Sequence, residues 1–413
     1  MIMNYAKQEQ ILDNTELLIR YQHEVSVELN AILDYWMRNT HDPVNGGFIG
    51  RIDENNIPYP DAPKGAVLNA RILWAFSSAY KVTHNPKHLH LARFAFNYLT
   101  ASFIDKEFGG VYWTVTAGGQ PLDTKKQIYA LAFAIYGCCA YFEISNNEMA
   151  KNTAIELFLQ IEAHSFDTEN TGYLEAFTRD WKPIEDLRLS AKDANEKKTM
   201  NTHLHVLEAY TTLYQIWPDD QLKGQIKTLV KNFSEHIADA DTGHLILFFD
   251  EKWNPKSNTV SYGHDIEAAW LLLEAAETVK DLSLIEEVKK LSAKISLAAA
   301  EGIDTDGGLW YELEAGTGHL IKEKHSWVQA EAMIGFFNQW QLTKDKSYLE
   351  KSLRSWHYVK NFIKDNIYGE WYWGRNDDGT IMKGQDKAGI WKCPYHNSRA
   401  CIEIINRIDK LIK

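Results

Sequence analysis

Three histidines, an arginine and a glutamate stand inside apolar, helix-length stretches of this chain, where an unpaired polar group costs several kcal/mol unless it is partnered or used. They are Arg71 in Asn69-Ala-Arg-Ile-Leu-Trp74, His205 in Asn201-Thr-His-Leu-His205, His264 and Glu267 in Gly263-His-Asp-Ile-Glu267, and His396 in Trp391-Lys-Cys-Pro-Tyr-His396. Tyr129 and Trp327 sit at comparable points in Lys126-Gln-Ile-Tyr129 and His325-Ser-Trp327. Asn201 and His205 are four residues apart and His264 and Glu267 three, so each pair shares a helix face and Glu267 is expected to orient or charge-stabilise His264. Histidine titrates near neutral pH and serves as base in one form and acid in the other. Two imidazoles on opposite sides of a carbon next to a carbonyl could take a proton from one face and return one to the other, with an arginine stabilising the enediolate.

Each residue also has a plainer reading. His264 and His396 could be satisfied core or surface histidines, Arg71 an arginine whose stem packs while its head reaches water, and Tyr129 and Trp327 core aromatics. His88-Leu-His90 lies in an outer amphipathic stretch without polar company and is assigned no role. His203, His205, His264, Glu267 and His396 could in principle supply metal ligands, but the chain has no His-Glu-x-x-His or Cys-x-x-Cys, and no metal or other cofactor is expected. No Gly-x-Ser-x-Gly occurs, and the set is histidine-rich and carboxylate-poor, which favours proton transfer over nucleophilic hydrolysis.

Phase separates the two readings. A segment of Asp or Asn, then Gly, then aromatic or aliphatic residues recurs six times, with Gly47, Gly110, Gly172, Gly243, Gly308 and Gly369 as anchors at intervals of 61 to 71 residues. Each copy reads as a short β-hairpin or extended loop. Between anchors lie two helix-length segments, the first apolar on several sides and the second amphipathic. The inner set is 66–82, 125–144, 199–216, 262–279, 325–341 and 394–411; the outer set is 16–38, 86–103, 148–163, 220–237, 281–299 and 346–364. A chain that opens with an outer helix and closes with an inner one can shut its own ring, although periodicity alone allows a solenoid or a toroid. Arg71, Tyr129, Asn201, His264, Trp327 and His396 fall 19 to 29 residues after their anchors, so a closed ring would gather them at one mouth in a single pocket.

Composition sets the outer bounds. With 45% hydrophobic and 24% charged residues and no Pro/Gly/Ser-rich linker, the 413 residues read as one large globular domain, 1–413. A net charge of −12 without a basic cluster argues against nucleic-acid or anionic-membrane partners and suits a neutral small-molecule substrate. The longest uncharged apolar run, Ile128 to Phe142, is shorter than the ~20 residues a membrane helix needs. Residues 1–10 show no basic-then-apolar export pattern, so a cytoplasmic location is expected. The four cysteines are expected to be reduced and structural, and the chain to be monomeric.

Met200-Asn-Thr-His-Leu-His-Val-Leu-Glu-Ala-Tyr210, Ser261-Tyr-Gly-His-Asp-Ile-Glu-Ala-Ala-Trp270 and Trp391-Lys-Cys-Pro-Tyr-His-Asn-Ser-Arg-Ala400 together resemble the N-acylglucosamine 2-epimerase superfamily and, within it, the cellobiose 2-epimerases. The similarity runs nearly end to end. It implies an all-α fold, an (α/α)6 barrel of six inner and six outer helices with short β-hairpins in the connecting loops. It also implies cofactor-independent inversion at C2 of the reducing-end glucose of a β-1,4-linked disaccharide such as cellobiose or lactose, through ring opening and a cis-enediol. On the resemblance, His396 would remove the C2 proton and His264 reprotonate the other face. Arg71 would bind the O1/O2 region, and His205 and Asn201 would hold hydroxyls. Glu267 would tune His264; Tyr129, Trp327 and Trp391 would line the sugar sites; Asp193 would be a further substrate contact. Three other readings stay open: an aldose–ketose isomerase on the same barrel, an inverting glycoside hydrolase needing two carboxylates, and a non-catalytic carbohydrate-binding protein.

Overall fold

The computed structural model describes residues 2–412, with side chains from residue 15 onward. The export-signal reading of residues 1–10 therefore lies outside the described side chains. Among the described residues twelve α-helices follow one another: α1 (Ile2–Asn39), α2 (Ala66–Thr83), α3 (Pro86–Ser102), α4 (Ile128–Ser145), α5 (Glu148–His164), α6 (Met200–Ile216), α7 (Asp220–Asn232), α8 (Tyr262–Val279), α9 (Leu282–Ala299), α10 (Ser326–Thr343), α11 (Lys346–Tyr358) and α12 (His396–Ile412). Short π-helical turns, Phe233–Ile237 and Val359–Ile363, extend α7 and α11. The even-numbered helices pack in sequence order, α12 meets α2, and α1 lies against α12, so the inner ring closes as an (α/α)6 barrel.

Local sequence explains the alternation. Four inner helices stop on a residue in the left-handed region, His84, Asn146, Lys280 or Lys344. The next residue is an Asn or Asp whose side chain caps the following outer helix: Asn85 accepts from Lys87 N, Asn147 from Met149 N, Asp281 from Ser283 N and Asp345 from Ser347 N. Asp219 caps α7 in the same way. The result is a tight αα-hairpin in which the apolar inner helix is buried on all sides. Among the described residues α4 is the one helix long and apolar enough to cross a membrane; it is an inner helix of the barrel and largely buried.

The other connection, outer to inner helix, builds the mouth. Each of the six Asp/Gly segments closes on an antiparallel bridge, from His41–Phe48 in the first to Lys364–Trp371 in the last. The leading aspartate accepts backbone N–H groups of its own loop, as Asp42 does from Val44 and Asn45. Gly47 adopts φ +64, and a Cβ there would fall 2.5 Å from the Tyr98 ring. In the fifth copy the left-handed glycine is Gly307 (φ +93), not the anchor Gly308, because that loop is one residue shorter. Two-residue strands just before the inner helices pair with the next repeat's loop, 64–65 with 114–115, 126–127 with 176–177, 198–199 with 248–249 and 324–325 with 374–375. A three-residue version joins 259–261 to 312–314, and the Ile52–Ala388 bridge closes the circle.

A lysine two residues ahead of four inner helices locks each loop to its aspartate: Lys64 to Asp42 at 2.8 Å, Lys126 to Asp105 at 2.8 Å, Lys198 to Asp167 at 2.8 Å and Lys324 to Asp304 at 2.6 Å. Lys387 pairs with Asp365 in the sixth repeat. The fourth repeat has Val260 at that place and instead ties its hairpin down through Asp265, which accepts from Leu245 N at 2.9 Å. Removing one member of a buried pair strands the other charge, which costs about 3–5 kcal/mol. Lys64→Met is therefore expected to lower the unfolding free energy from urea denaturation by that order relative to the exposed control Lys252→Met; a change within about 1 kcal/mol would contradict the role given to the pair. Burial opposes ionisation of Asp42, but its backbone donors and Lys64 hold the carboxyl below the usual range. Its stabilisation is accordingly complete above the unfolded carboxylate pKa of about 4 and lost as pH falls through the lower folded value.

Candidate functional site

The N-termini of the inner helices open on a cavity of about 490 Å³ at the loop end of the barrel. All ten residues singled out in the sequence line it: Arg71, Tyr129, Asp193, Asn201, His205, His264, Glu267, Trp327, Trp391 and His396. Asp193 comes from the loop over the mouth, where its carboxylate accepts from Ser190 N at 2.7 Å. Asn201 lines the space, and its Oδ1 is buried without a hydrogen-bond partner among the described residues. Trp327 lies between two imidazoles, its ring centroid 4.8 Å from that of His264 and 5.5 Å from that of His396. Tyr311, His325, Trp373, Lys392 and Cys393 also line the cavity and were not foreseen.

Beneath the histidines is a buried ionic layer that the sequence reading missed. Arg399 donates to Glu208, Glu267 and Glu331, the last at 2.7 Å, and its guanidinium lies 4.3 Å from the Tyr395 ring. Tyr395 Oη donates to both oxygens of Glu208, at 2.6 and 2.7 Å. Glu331 pairs with His396 Nδ1 at 2.7 Å, Glu208 with His205 Nδ1 at 2.9 Å, and Trp270 Nε1 donates to Glu331 at 3.2 Å. The site is thus not carboxylate-poor. The signal was present: Glu208 and Arg399 follow His205 and His396 by three residues, as Glu267 follows His264, and Glu331 follows Trp327 by four, which places Glu208, Glu331 and Arg399 one turn below the cavity that Glu267 still lines.

Glu267 does not serve His264. Arg399 draws its carboxylate toward the barrel axis, 3.9 Å from His396 Nδ1, while His264 Nδ1 pairs with Ser261 Oγ at 2.8 Å. His203, weighed above as a metal ligand, is occupied at both nitrogens, by Thr199 O at 2.6 Å and Tyr173 N at 2.8 Å, and pins a hairpin. Glu267, Glu331 and His396 come close enough together to hold a cation, but Arg399 already supplies the positive charge between those carboxylates. His88 also has a polar neighbour, Thr83 Oγ1 at 2.8 Å from its Nδ1, and stays outside the cavity.

Electrostatics give the groups different characters. Burial pushes His264 down to about 3, and burial with the charges of Arg71 and Arg399 holds His396 well below the ordinary imidazole range. Burial and the Glu331 carboxylate raise Glu267 to about 7 against the pull of Arg399. Burial also opposes ionisation of Glu208, yet Arg399, His205 and Tyr395 hold it down at about 2. Arg71 is buried and pairs with no carboxylate among the described residues: Nη2 donates to Tyr129 Oη at 2.8 Å, Nη1 lies 3.9 Å from Cys393 Sγ, and its Cζ stands 4.1 Å from the centre of the Phe133 ring. Taken out of water and left without an anion, that guanidinium is a ready site for a developing oxyanion.

The family model for N-acylglucosamine 2-epimerase matches residues 47–400. The chain belongs to this family. A cellobiose 2-epimerase of Bacteroides fragilis is 49% identical over 385 residues, covering 93% of this chain and 98% of that protein. One from Dictyoglomus turgidum is 37% identical over 380 residues, 92% and 96% of the two chains. The solved cellobiose 2-epimerase of Bacillus thermoamylovorans B4167 superposes with a TM-score of 0.90 at 39% identity, covering 94% of this chain and 99% of that one. The chain is accordingly an epimerase, an enzyme of the isomerase class, on the cellobiose 2-epimerase branch of its family. A D-mannose isomerase at 22% identity (TM-score 0.81) and a GH76 α-mannanase of Bacteroides thetaiotaomicron at 12% (TM-score 0.65) share the barrel alone.

Because burial depresses both imidazoles, they stay neutral to well below the ordinary imidazole pKa of about 6.5, and the acid limb of kcat/KM that they set is expected correspondingly low. The ionisation of Glu267, raised to about 7, is expected to drop out of the pH profile in Glu267→Gln. A profile near pH 7 that Glu267→Gln leaves unchanged would contradict the assignment.

Proposed function

We propose that the epimerase inverts C2 of the reducing-end glucose of a β-1,4-linked disaccharide such as cellobiose or lactose, using its own side chains and no cofactor. The observation that carries this reading is the pair of imidazoles flanking Trp327, one backed by a carboxylate and the other by a hydroxyl. With Nδ1–H donated to Glu331, His396 presents the lone pair of Nε2 and acts as base toward the C2 proton of the glucose form. Ser261 can donate to His264 Nδ1, which leaves Nε2–H to reprotonate the opposite face after rotation about C2–C3. Arg71 holds O1 and O2 as the cis-enediolate forms. Asn201 and His205 take sugar hydroxyls, Asp193 a further one from the mouth loop, and Tyr129, Trp327 and Trp391 offer ring faces to the apolar C–H faces of the pyranoses.

The cellobiose 2-epimerases to which the chain is similar support the disaccharide, and the electrostatics argue against hydrolysis: the carboxylates under the pocket are committed to Arg399, His205 and His396 rather than set across a scissile bond. The proposal takes 1–413 as one catalytic domain acting as a monomer inside the cell.

NMR of cellobiose incubated with the protein in D2O tests it. Deuterium at C2 together with glucosyl-mannose is expected, and His264→Ala and His396→Ala should each lower the rate by ~10²–10⁴. A ketose product would favour isomerisation, and free glucose would overturn both in favour of hydrolysis.

A further inference from the structure

Two of the six Asp/Gly segments break their own pattern, and they are the two that lead into the helices of the imidazole pair. The residue before the closing bridge is glycine in the first, second, third and fifth copies: Gly47, Gly110, Gly172 and Gly308. In the first three it is left-handed, at φ +64, +71 and +77. The fourth copy, ahead of α8 and His264, has His244 at that place, and the sixth, ahead of α12 and His396, has Glu370. Glu370 keeps the left-handed backbone at φ +65, which glycine adopts freely and glutamate only against steric resistance. Strain of this kind persists where the surroundings hold it, and it gathers at functional positions.

Both side chains reach the residue directly after the histidine. His244 Nδ1 pairs with Asp265 Oδ2 at 2.7 Å, and Leu245 N donates to the other oxygen of that carboxylate at 2.9 Å. Glu370 Oε1 accepts from Asn397 Nδ2 and, at 3.1 Å, from Trp36 Nε1 of α1, while Oε2 takes Lys392 Nζ. One carboxylate thus grips at two points the stretch that carries Trp391 and His396. His244, Asp265, Glu370 and Asn397 are all buried, and neither His244 nor Glu370 lines the cavity. Asp265 and Asn397 stand in the first turns of α8 and α12, so a bond to either fixes the rotation of that turn and the direction in which the preceding imidazole leaves it. We propose that His244 and Glu370 are the positioning residues of the imidazole pair, His244 setting His264 through Asp265 and Glu370 setting His396 through Asn397; this rests on the reading of the two imidazoles as the acid–base pair at C2. Proton transfer at carbon demands close alignment of base and C–H, and a misplacement of about 1 Å costs on the order of 10²-fold in rate.

Partition of the enediolate separates the two tethers. From cellobiose in D2O it either takes a deuteron back from His396, giving labelled cellobiose, or takes one from His264, giving the labelled epimer, and NMR reads both. His244→Gly installs the residue of the other copies and loosens His264, so the ratio of exchange to inversion is expected to rise at least ~10-fold. Glu370→Gly loosens His396 and should lower that ratio by a similar factor and the total rate by ~10²-fold. The conservative His244→Asn and Glu370→Gln, whose amides can still bond Asp265 and Asn397, should restore the wild-type ratio. Where a glycine variant fails to fold, His244→Phe and Asn397→Ala cut the same tethers and must shift the ratio in the same two directions. Folded tether variants that slow the reaction at an unchanged ratio overturn the inference, as does a shift in the same sense from both tethers. Wild-type protein that leaves C2 unlabelled overturns instead the epimerase reading on which it rests.

Discussion

A single buried cation organises the centre of this barrel. Arg399 comes from α12 and binds Glu208 of α6, Glu267 of α8 and Glu331 of α10, so one guanidinium joins four of the six inner helices. Charges taken so far from water are tolerable only when every partner is matched, because desolvation costs several kcal/mol per ion. Three carboxylates on one arginine leave an excess of negative charge. Burial together with that excess raises the Glu267 carboxyl, while Glu208 and Glu331 each take an imidazole Nδ1, of His205 and His396. His205 and His396 are each given a defined tautomer by a glutamate that Arg399 holds in place, and the aspect of each ring toward the cavity follows.

The loop end of the ring does the complementary task of fixing where the inner helices begin. Short strand pairs run from repeat to repeat, and the backbone N–H at the start of an inner helix is often taken by the next loop, as Ala66 N is by Trp113 O and Met200 N by Leu247 O. The helix N-termini are thereby satisfied without filling the cavity with capping side chains. Their positive ends face the same space as Arg71, a field suited to an enediolate. The buried Lys–Asp pairs keep this rim rigid, while the aromatic side chains it carries shape the pocket.

Most of the architecture was legible because it repeats. The Asp/Gly segments fixed the period, and the phase of Arg71, Tyr129, Asn201, His264, Trp327 and His396 carried them to one mouth. What escaped was depth. Phase along the chain says which residues face inward at the mouth but not what lies one turn beneath, so Glu208, Glu331 and Arg399 were passed over although each stands three or four residues from a recognised one. Helical spacing also misdirected Glu267: sharing a face with His264 does not decide whether a carboxylate bonds along its own helix or across the axis, and Arg399 decided it. The lysines ahead of α2, α4, α6 and α10 were readable as a repeat feature, but a lysine before a helix gives no hint that it is buried on an aspartate 20 to 31 residues earlier.

The central claim is spatial: the carbon that loses and regains a proton lies between His396 and His264. A crystal structure with the open-chain alditol of cellobiose tests it most directly. The account predicts C2 between the two Nε2 atoms, on opposite faces and within about 3.5 Å of each, with O1 or O2 on Arg71. An alditol bound with both imidazoles on the same face of C2, or with C2 out of reach of either, would contradict it.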